Sequence, residues 1–339
     1  MLPRRTVLAF LPRLYYRIDL WQTPEQDGDR QLVPFQLFWA NSFQPLRESL
    51  RKTQVQYIGV TSWNGTRTNH GWRLEMKRIA LICVFLLSAN PGLSQDWAKA
   101  RLEKSPRHRE WVTVKHDGRA VETFVVYPES KDKTPVVLVI HEIFGMTDWV
   151  EDLADQVAEA GYIVVAPDLL SGMGPNGGRT TSIEQEKVME TVSHLNPDQI
   201  TADLNAVADY GLKLPASNGK LFVAGFCWGG GQTFRFATNR ADLSAAFVFY
   251  GPPPPKEAMP RITAPVYGFY GGNDARIDAT IPDTREAMKA AGKTYDPVIY
   301  EGAGHGFMRA GEAPDAKEAD RKARTEAWAR WKTILERNH

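Results

Sequence analysis

Apolar positions along the chain follow two rhythms. Unbroken apolar runs or short β-branched stretches recur at 135–140, 162–166, 221–225, 245–250, 265–270 and 296–300, each ending at, or followed within two residues by, Gly, Pro or His. A run that is apolar throughout suits a strand covered on both faces, as in a parallel sheet beneath helices. Between these runs the period changes to that of a helix. Trp149, Leu153, Val157 and Ala160 share one face, with Thr147 or Asp148 as cap and Gly161 as stop. Thr181-x-x-Glu184 predicts a capping box opening a helix to about Leu195, and Pro197 opens another over 197–213 with Ile200, Leu204, Val207 and Tyr210 on one side. Further helices are expected after Cys227, over 282–291, and over 315–337 with Trp328, Trp331 and Leu335 inward.

Ahead of these, Trp111, Val112 and Val114 alternate up to the turn His116-Asp117-Gly118, and Val121, Phe124 and Val126 alternate after it, predicting an antiparallel hairpin. Strands and helices then take turns to the end of the chain. This predicts an α/β fold: a mostly parallel, doubly wound sheet flanked by helices, in one domain from residue 95 onward.

The first 94 residues read differently. Residues 1–75 hold nine Arg, one Lys and four of the ten Trp, with no sustained period. Met76-Lys77-Arg78, the apolar run 79–89 and Asn90-Pro91-Gly92-Leu93-Ser94 then give the three parts of a secretory signal. The apolar run is shorter than the roughly 20 residues a membrane span needs. The expectation is a start at Met76, a signal over 76–94, an upstream segment 1–75 without a folded role, and a periplasmic or secreted protein. The competing expectation is a genuine extension with a buried helix at 79–89 in a cytoplasmic protein.

A cut after Ser94 leaves 29 Lys and Arg against 34 Asp and Glu, a net charge of −5 that argues against a nucleic-acid partner. It also leaves Cys227 without a second cysteine, which excludes an internal disulfide framework.

In such sheets function collects beyond the carboxyl ends of the strands. The segment Leu221-Phe222-Val223-Ala224-Gly225-Phe226-Cys227-Trp228-Gly229 reads as a nucleophile elbow with sulfur in place of oxygen. Gly225 and Gly229 stand where the crossing backbones need small residues. The helix that follows aims N–H groups and its positive dipole end at the thiol, favouring thiolate.

A nucleophile needs a base, and the base needs an acceptor. Cys227, Asp274 in Gly271-Gly272-Asn273-Asp274, and His305 in Gly304-His305-Gly306-Phe307 follow successive strands in the order nucleophile, acid, histidine expected of an α/β-hydrolase. Other motifs fail on single residues. A phosphate loop would need Lys at 231, which is Gly231, and H-E-x-x-H from His141 would need His at 145, which is Gly145. Neither metal nor cofactor is expected.

His141-Glu142-Ile143-Phe144-Gly145, Gly225-Phe226-Cys227-Trp228-Gly229-Gly230, Asp274 and Gly304-His305-Gly306-Phe307 together resemble the dienelactone hydrolase family of α/β-hydrolases over about residues 105–337. The resemblance implies a Cys227, Asp274, His305 triad with Glu142 near the thiol, holding the resting cysteine and taking part in forming thiolate when substrate binds. It implies an oxyanion hole from the backbone N–H groups of Ile143 and Trp228. Arg309 falls where the family places an arginine for the substrate carboxylate, although a surface arginine at a helix start reads the same way from sequence. Arg179 and Lys187 lie in the region of a second such arginine. Trp228 stands where the best-known members carry an aliphatic residue.

The expected activity is hydrolysis of a lactone or small carboxylic ester by a monomer or small homo-oligomer. A general carboxylesterase or thioesterase is the nearer rival. A redox-sensing or binding protein that uses only the Cys227 thiol is the more distant one.

Overall fold

A computed structural model describes residues 5–11, 14–20 and 95–338 of a chain that divides into two units, 1–79 and 80–339. In the first unit, β1 (Arg5–Leu11) and β2 (Leu14–Leu20) pair antiparallel from Arg5↔Leu20 to Leu11↔Leu14. The expected signal at 76–94 lies outside the described residues.

In the second unit, β3 (Arg109–His116) and β4 (Arg119–Val126) form the expected hairpin. There follow β5 (Thr134–Ile140), β6 (Ile163–Pro167), β7 (Ser217–Phe226), β8 (Leu243–Phe249), β9 (Val266–Gly271) and β10 (Tyr295–Tyr300). They form one eight-stranded sheet in the order β10-β9-β8-β7-β5-β6-β4-β3. The six strands β5 to β10 run parallel, and the hairpin closes one edge antiparallel through β4 on β6.

Alternate strand residues feed two cores, because successive side chains leave opposite faces. Val136, Leu138, Ile140, Leu221 and Val223 meet α3 (Gln185–Ser193), α4 (Pro197–Lys213) and parts of α5 (Trp228–Ala237) and α7 (Ile281–Ala290). Val137, Val139, Phe222, Ala224 and Phe226 meet α1 (Asp96–Leu102), α2 (Asp148–Glu159) and α9 (Glu318–Arg337). Two single-turn helices, α6 (Ala275–Asp278) and α8 (Phe307–Ala310), lie in the loops after β9 and β10.

Three local expectations need correction. The helix expected from Thr181 begins at Gln185, because Thr180–Ser182 form a 3-10 turn whose Thr180 is tied to Asp168: its Oγ1 donates to Oδ1 at 2.7 Å and its N–H to Oδ2 at 2.9 Å. The α2 amide at Trp149 donates to the side-chain oxygen of Gln95 at 2.7 Å, and neither Thr147 nor Asp148 supplies a side-chain cap. Trp331 and Leu335 are buried as expected, but Trp328 is only partly so, with the Arg324 guanidinium 4.6 Å from its ring centroid.

Candidate active site

The expected chemistry gathers at the carboxyl ends of β5, β7, β8, β9 and β10. Cys227 occupies the turn between β7 and α5 at φ 56°, ψ −117°, a left-handed conformation that a residue bearing Cβ adopts only where its surroundings enforce it. They do so here. A Cβ on Gly225 would overlap the Gly229 carbonyl, and one on Gly229 would overlap the carbonyls of Ile140 and His141. The Cys227 N–H donates to the Phe249 carbonyl at 3.0 Å, which ties the turn to the neighbouring strand. The thiol is free and half-buried.

His305, on the loop after β10, donates Nδ1–H to Asp274 Oδ2 at 2.5 Å. Asp274 is buried at the end of β9, so the bond sits in a low-dielectric setting and fixes the imidazole tautomer. Burial opposes a charge on His305, but its hydrogen bonds to Cys227 and Asp274 outweigh that and push it up to about 9. The imidazolium is therefore the stable form at neutral pH.

A second ion pair lies beside the first. Glu142, 2 % exposed, accepts from Arg309 Nε at 2.7 Å on Oε2 and from the Tyr250 hydroxyl at 3.3 Å on Oε1. Burial would disfavour the charge on Arg309, and Glu142 more than restores it. Tyr250 sits at φ 41° with its ring edge-on to His305 at 5.1 Å, so one side chain touches both pairs. Burial and the Glu142 carboxylate hold its phenol protonated, well above the usual range.

The structure thus brings Cys227, Asp274, His305, Glu142 and Arg309 together, but Glu142 is bonded to Arg309 and Tyr250 and makes no hydrogen bond to the thiol. A guanidinium offers a buried carboxylate a charge-assisted bond that a thiol cannot match.

Ile143 follows β5, the strand next to β7, and Trp228 is the first residue of α5. Neither backbone N–H has an acceptor among the described residues, as a pair of donors awaiting an oxyanion requires. Arg179 and Lys187 are not drawn in. Arg179 stacks on Trp111 with its guanidinium carbon 3.4 Å from the ring centroid, and Lys187 is exposed on α3, paired with Glu184 at 2.6 Å. Two open grooves of about 400 and 380 Å³ lie at the β3–β4 turn and along α9, and none of Cys227, Asp274 and His305 lines either. Among the described residues no three His, Cys, Asp or Glu side chains converge as a metal site would need, and no helix is long and apolar enough to cross a membrane.

Sequence reasoning passed over two residues of this site. Tyr250 directly follows β8, at the same kind of strand end as Cys227, Asp274 and His305, but the glycine and prolines after it read in sequence only as a turn. His141 enters the sequence reading as half of a failed zinc pair and as the first residue of the family motif, with no role of its own. Its ring lies at 14° to that of Trp228 with centroids 5.4 Å apart.

Comparison with known proteins agrees with this geometry. The family model of the dienelactone hydrolase family matches residues 121–338. A protein of Methylorubrum extorquens named "Putative carboxymethylenebutenolidase" is 34% identical over 208 residues, covering 58% of this chain and 71% of the relative. A protein of the same name from Salmonella typhimurium is 31% identical over 233 residues, covering 65% and 83%. Among solved structures, "Putative Dienelactone Hydrolase from Klebsiella pneumoniae subsp. pneumoniae MGH 78578" superposes with a TM-score of 0.60 at 27% identity, over 68% of this chain and 98% of that one. With its α/β-hydrolase sheet and a family match over well more than half its length, the chain belongs to the dienelactone hydrolase family and is a hydrolase.

Proposed function

We propose that this hydrolase opens a lactone or a small carboxylic ester through a cysteine acyl-enzyme. The observation that carries the reading is the Asp274–His305 bond at 2.5 Å, on an imidazole that Cys227 and Asp274 push up to about 9. With the thiol proton already held on His305 as its imidazolium, Cys227 Sγ attacks the carbonyl carbon. The oxyanion then rests on the N–H groups of Trp228 and Ile143. Collapse expels the alkoxide, which takes the proton from His305, and a lactone keeps that alcohol tethered to its acyl group. Water, deprotonated by His305, cleaves the thioester and returns the thiol.

Arg309 supports a role for a substrate carboxylate only by exchange, since its present partner is Glu142. An anionic substrate that took Arg309 would free Glu142 beside the thiol, in keeping with the part its family gives that residue. The same pairing favours a second reading, a general carboxylesterase for neutral esters, in which Glu142 and Arg309 stay together. Assays on dienelactone and p-nitrophenyl acetate, with the Cys227→Ala variant as control, test both. Equal turnover by parent and variant refutes the cysteine mechanism, and a parent indifferent to a substrate carboxylate selects the general esterase. Peroxide-dependent modification of Cys227 without any turnover would instead support the redox reading.

Export is a separate proposal resting on residues 76–94. N-terminal sequencing of the native protein is expected to find Gln95 or a neighbour, and an intact Met1 would refute it.

A further inference from the structure

Between the two proposed oxyanion donors stands a side chain that the mechanism above does not use. His141 is completely buried at the end of β5. Its Nδ1 lies 2.7 Å from the carbonyl oxygen of Glu142. A carbonyl can only accept, so Nδ1 carries the hydrogen and Nε2 is a bare lone pair. Nε2 has no hydrogen-bond partner among the described residues, and burial lowers the tendency of the ring to protonate. His141 is therefore a neutral donor of one bond, fixed in a single tautomer.

That bond has a consequence through covalent geometry. The Glu142 carbonyl and the Ile143 N–H belong to the same peptide unit, which is planar and, like the other peptide bonds among the described residues, not cis. In a trans unit the two groups point in opposite directions. Holding the carbonyl toward His141 aims the Ile143 N–H away from it. The ring of His141 also stacks on the indole of Trp228, the residue whose backbone N–H is the other proposed donor. The two backbones are pressed together at this point, since Gly229 has no room for a Cβ against the carbonyls of Ile140 and His141. The Gly145 N–H also donates to the Glu142 carbonyl, at 3.1 Å, so the imidazole shares in setting the direction of the first donor by its shorter hydrogen bond and bears on the place of the second by stacking.

We propose that His141 is a positioning residue that holds both donors of the oxyanion hole, and that the indole of Trp228 serves this clamp. The inference rests on the hydrolase reading above. It answers what the bulky residue beside the nucleophile does: it lies against the protein's own imidazole.

The test uses the full chain and p-nitrophenyl acetate, with iodoacetamide as a second probe of Cys227. Alkylation by iodoacetamide needs the thiolate but develops no oxyanion, so it separates the two roles. His141→Phe keeps a ring against Trp228 and loses the Nδ1–H; His141→Gln keeps an N–H donor and loses the ring; His141→Ala loses both. For His141→Phe we expect kcat to fall about tenfold to a hundredfold with KM within about twofold, since a misdirected donor forfeits part of what a deleted one does. Alkylation of Cys227 should stay within about twofold of the parent, and His141→Gln should recover part of the loss in kcat.

A kcat for His141→Phe within about twofold of the parent overturns the proposal, as does alkylation that falls in step with hydrolysis. If circular dichroism shows that His141→Phe does not fold, Gln against Ala carries the same comparison: kcat higher for Gln supports the clamp, and equal values overturn it. A parent that is alkylated but hydrolyses no ester refutes the hydrolase reading and this inference with it, whereas an active parent with indifferent variants refutes the inference alone.

Discussion

Two carboxylate–cation pairs stand within one site, and they differ in what their cations can do. Asp274 holds an imidazole that gains and loses a proton within the working pH range, at about 9. Glu142 holds a guanidinium that does not release its proton. In the proposed mechanism the first pair moves protons, and the second fixes charge beside the thiol. Tyr250 touches both, edge-on to His305 and hydrogen-bonded to Glu142. The proposed proton-transfer pair thus sits against a fixed ion pair, and in that mechanism a substrate that parted Glu142 from Arg309 would alter the field at the Cys227 sulfur.

Substitutions that break the mobile pair should have the largest effects. Cys227→Ala is expected to lower kcat about 10³-fold or more with the fold retained, measured as turnover beside a thermal melt. Asp274→Asn should cost about 10²-fold or more in kcat, because an amide neither favours the working tautomer nor stabilises the imidazolium. The same variant should move the alkaline limb of kcat/KM. The sign follows from the raised value of His305: below about 9 the imidazolium is available to protonate the leaving alkoxide, and above it that acid is lost. Without the carboxylate the imidazolium is less stable, so the limb should shift to lower pH, as a pH–rate profile will show.

The fixed pair should answer differently. Arg309→Ala leaves a buried carboxylate unpaired and should cost about 3 kcal/mol of stability, read from urea unfolding, while a thermal melt confirms a folded baseline. Tyr250→Phe removes one long bond to the same carboxylate and should cost about 1 kcal/mol. If Arg309→Ala were neutral for stability but abolished turnover, the distinction between the two pairs would fail.

The parts of this site that were legible in the sequence are those set by local rules. Strand ends announced Cys227, Asp274 and His305, because a continuous apolar run followed by glycine marks where a parallel strand emerges from its core. The elbow glycines were legible for the same reason. What stayed hidden depends on partners far apart along the chain. The Glu142–Arg309 pair spans 167 residues, and either member alone reads as an ordinary charged side chain. The tie of Thr180 to Asp168 was hidden likewise: it belongs to the 3-10 turn 180–182, so Thr181 caps no helix and α3 starts at Gln185. The α1 helix went unseen because its seven residues are too few for a period to show. It is held by the Gln95 cap on α2 and by the ion pairs of Arg101 with Asp152 and Glu312.

The central claim is that the Cys227 sulfur carries the acyl group. Rapid acid quench of the full chain with p-nitrophenyl acetate, followed by peptide mass spectrometry, tests it most directly. One acetyl group should appear on the peptide containing Cys227 within the first turnover, decay as the substrate is exhausted, and be absent from Cys227→Ala. Turnover with no acetyl on that peptide, or with the acetyl on another residue, would contradict the account.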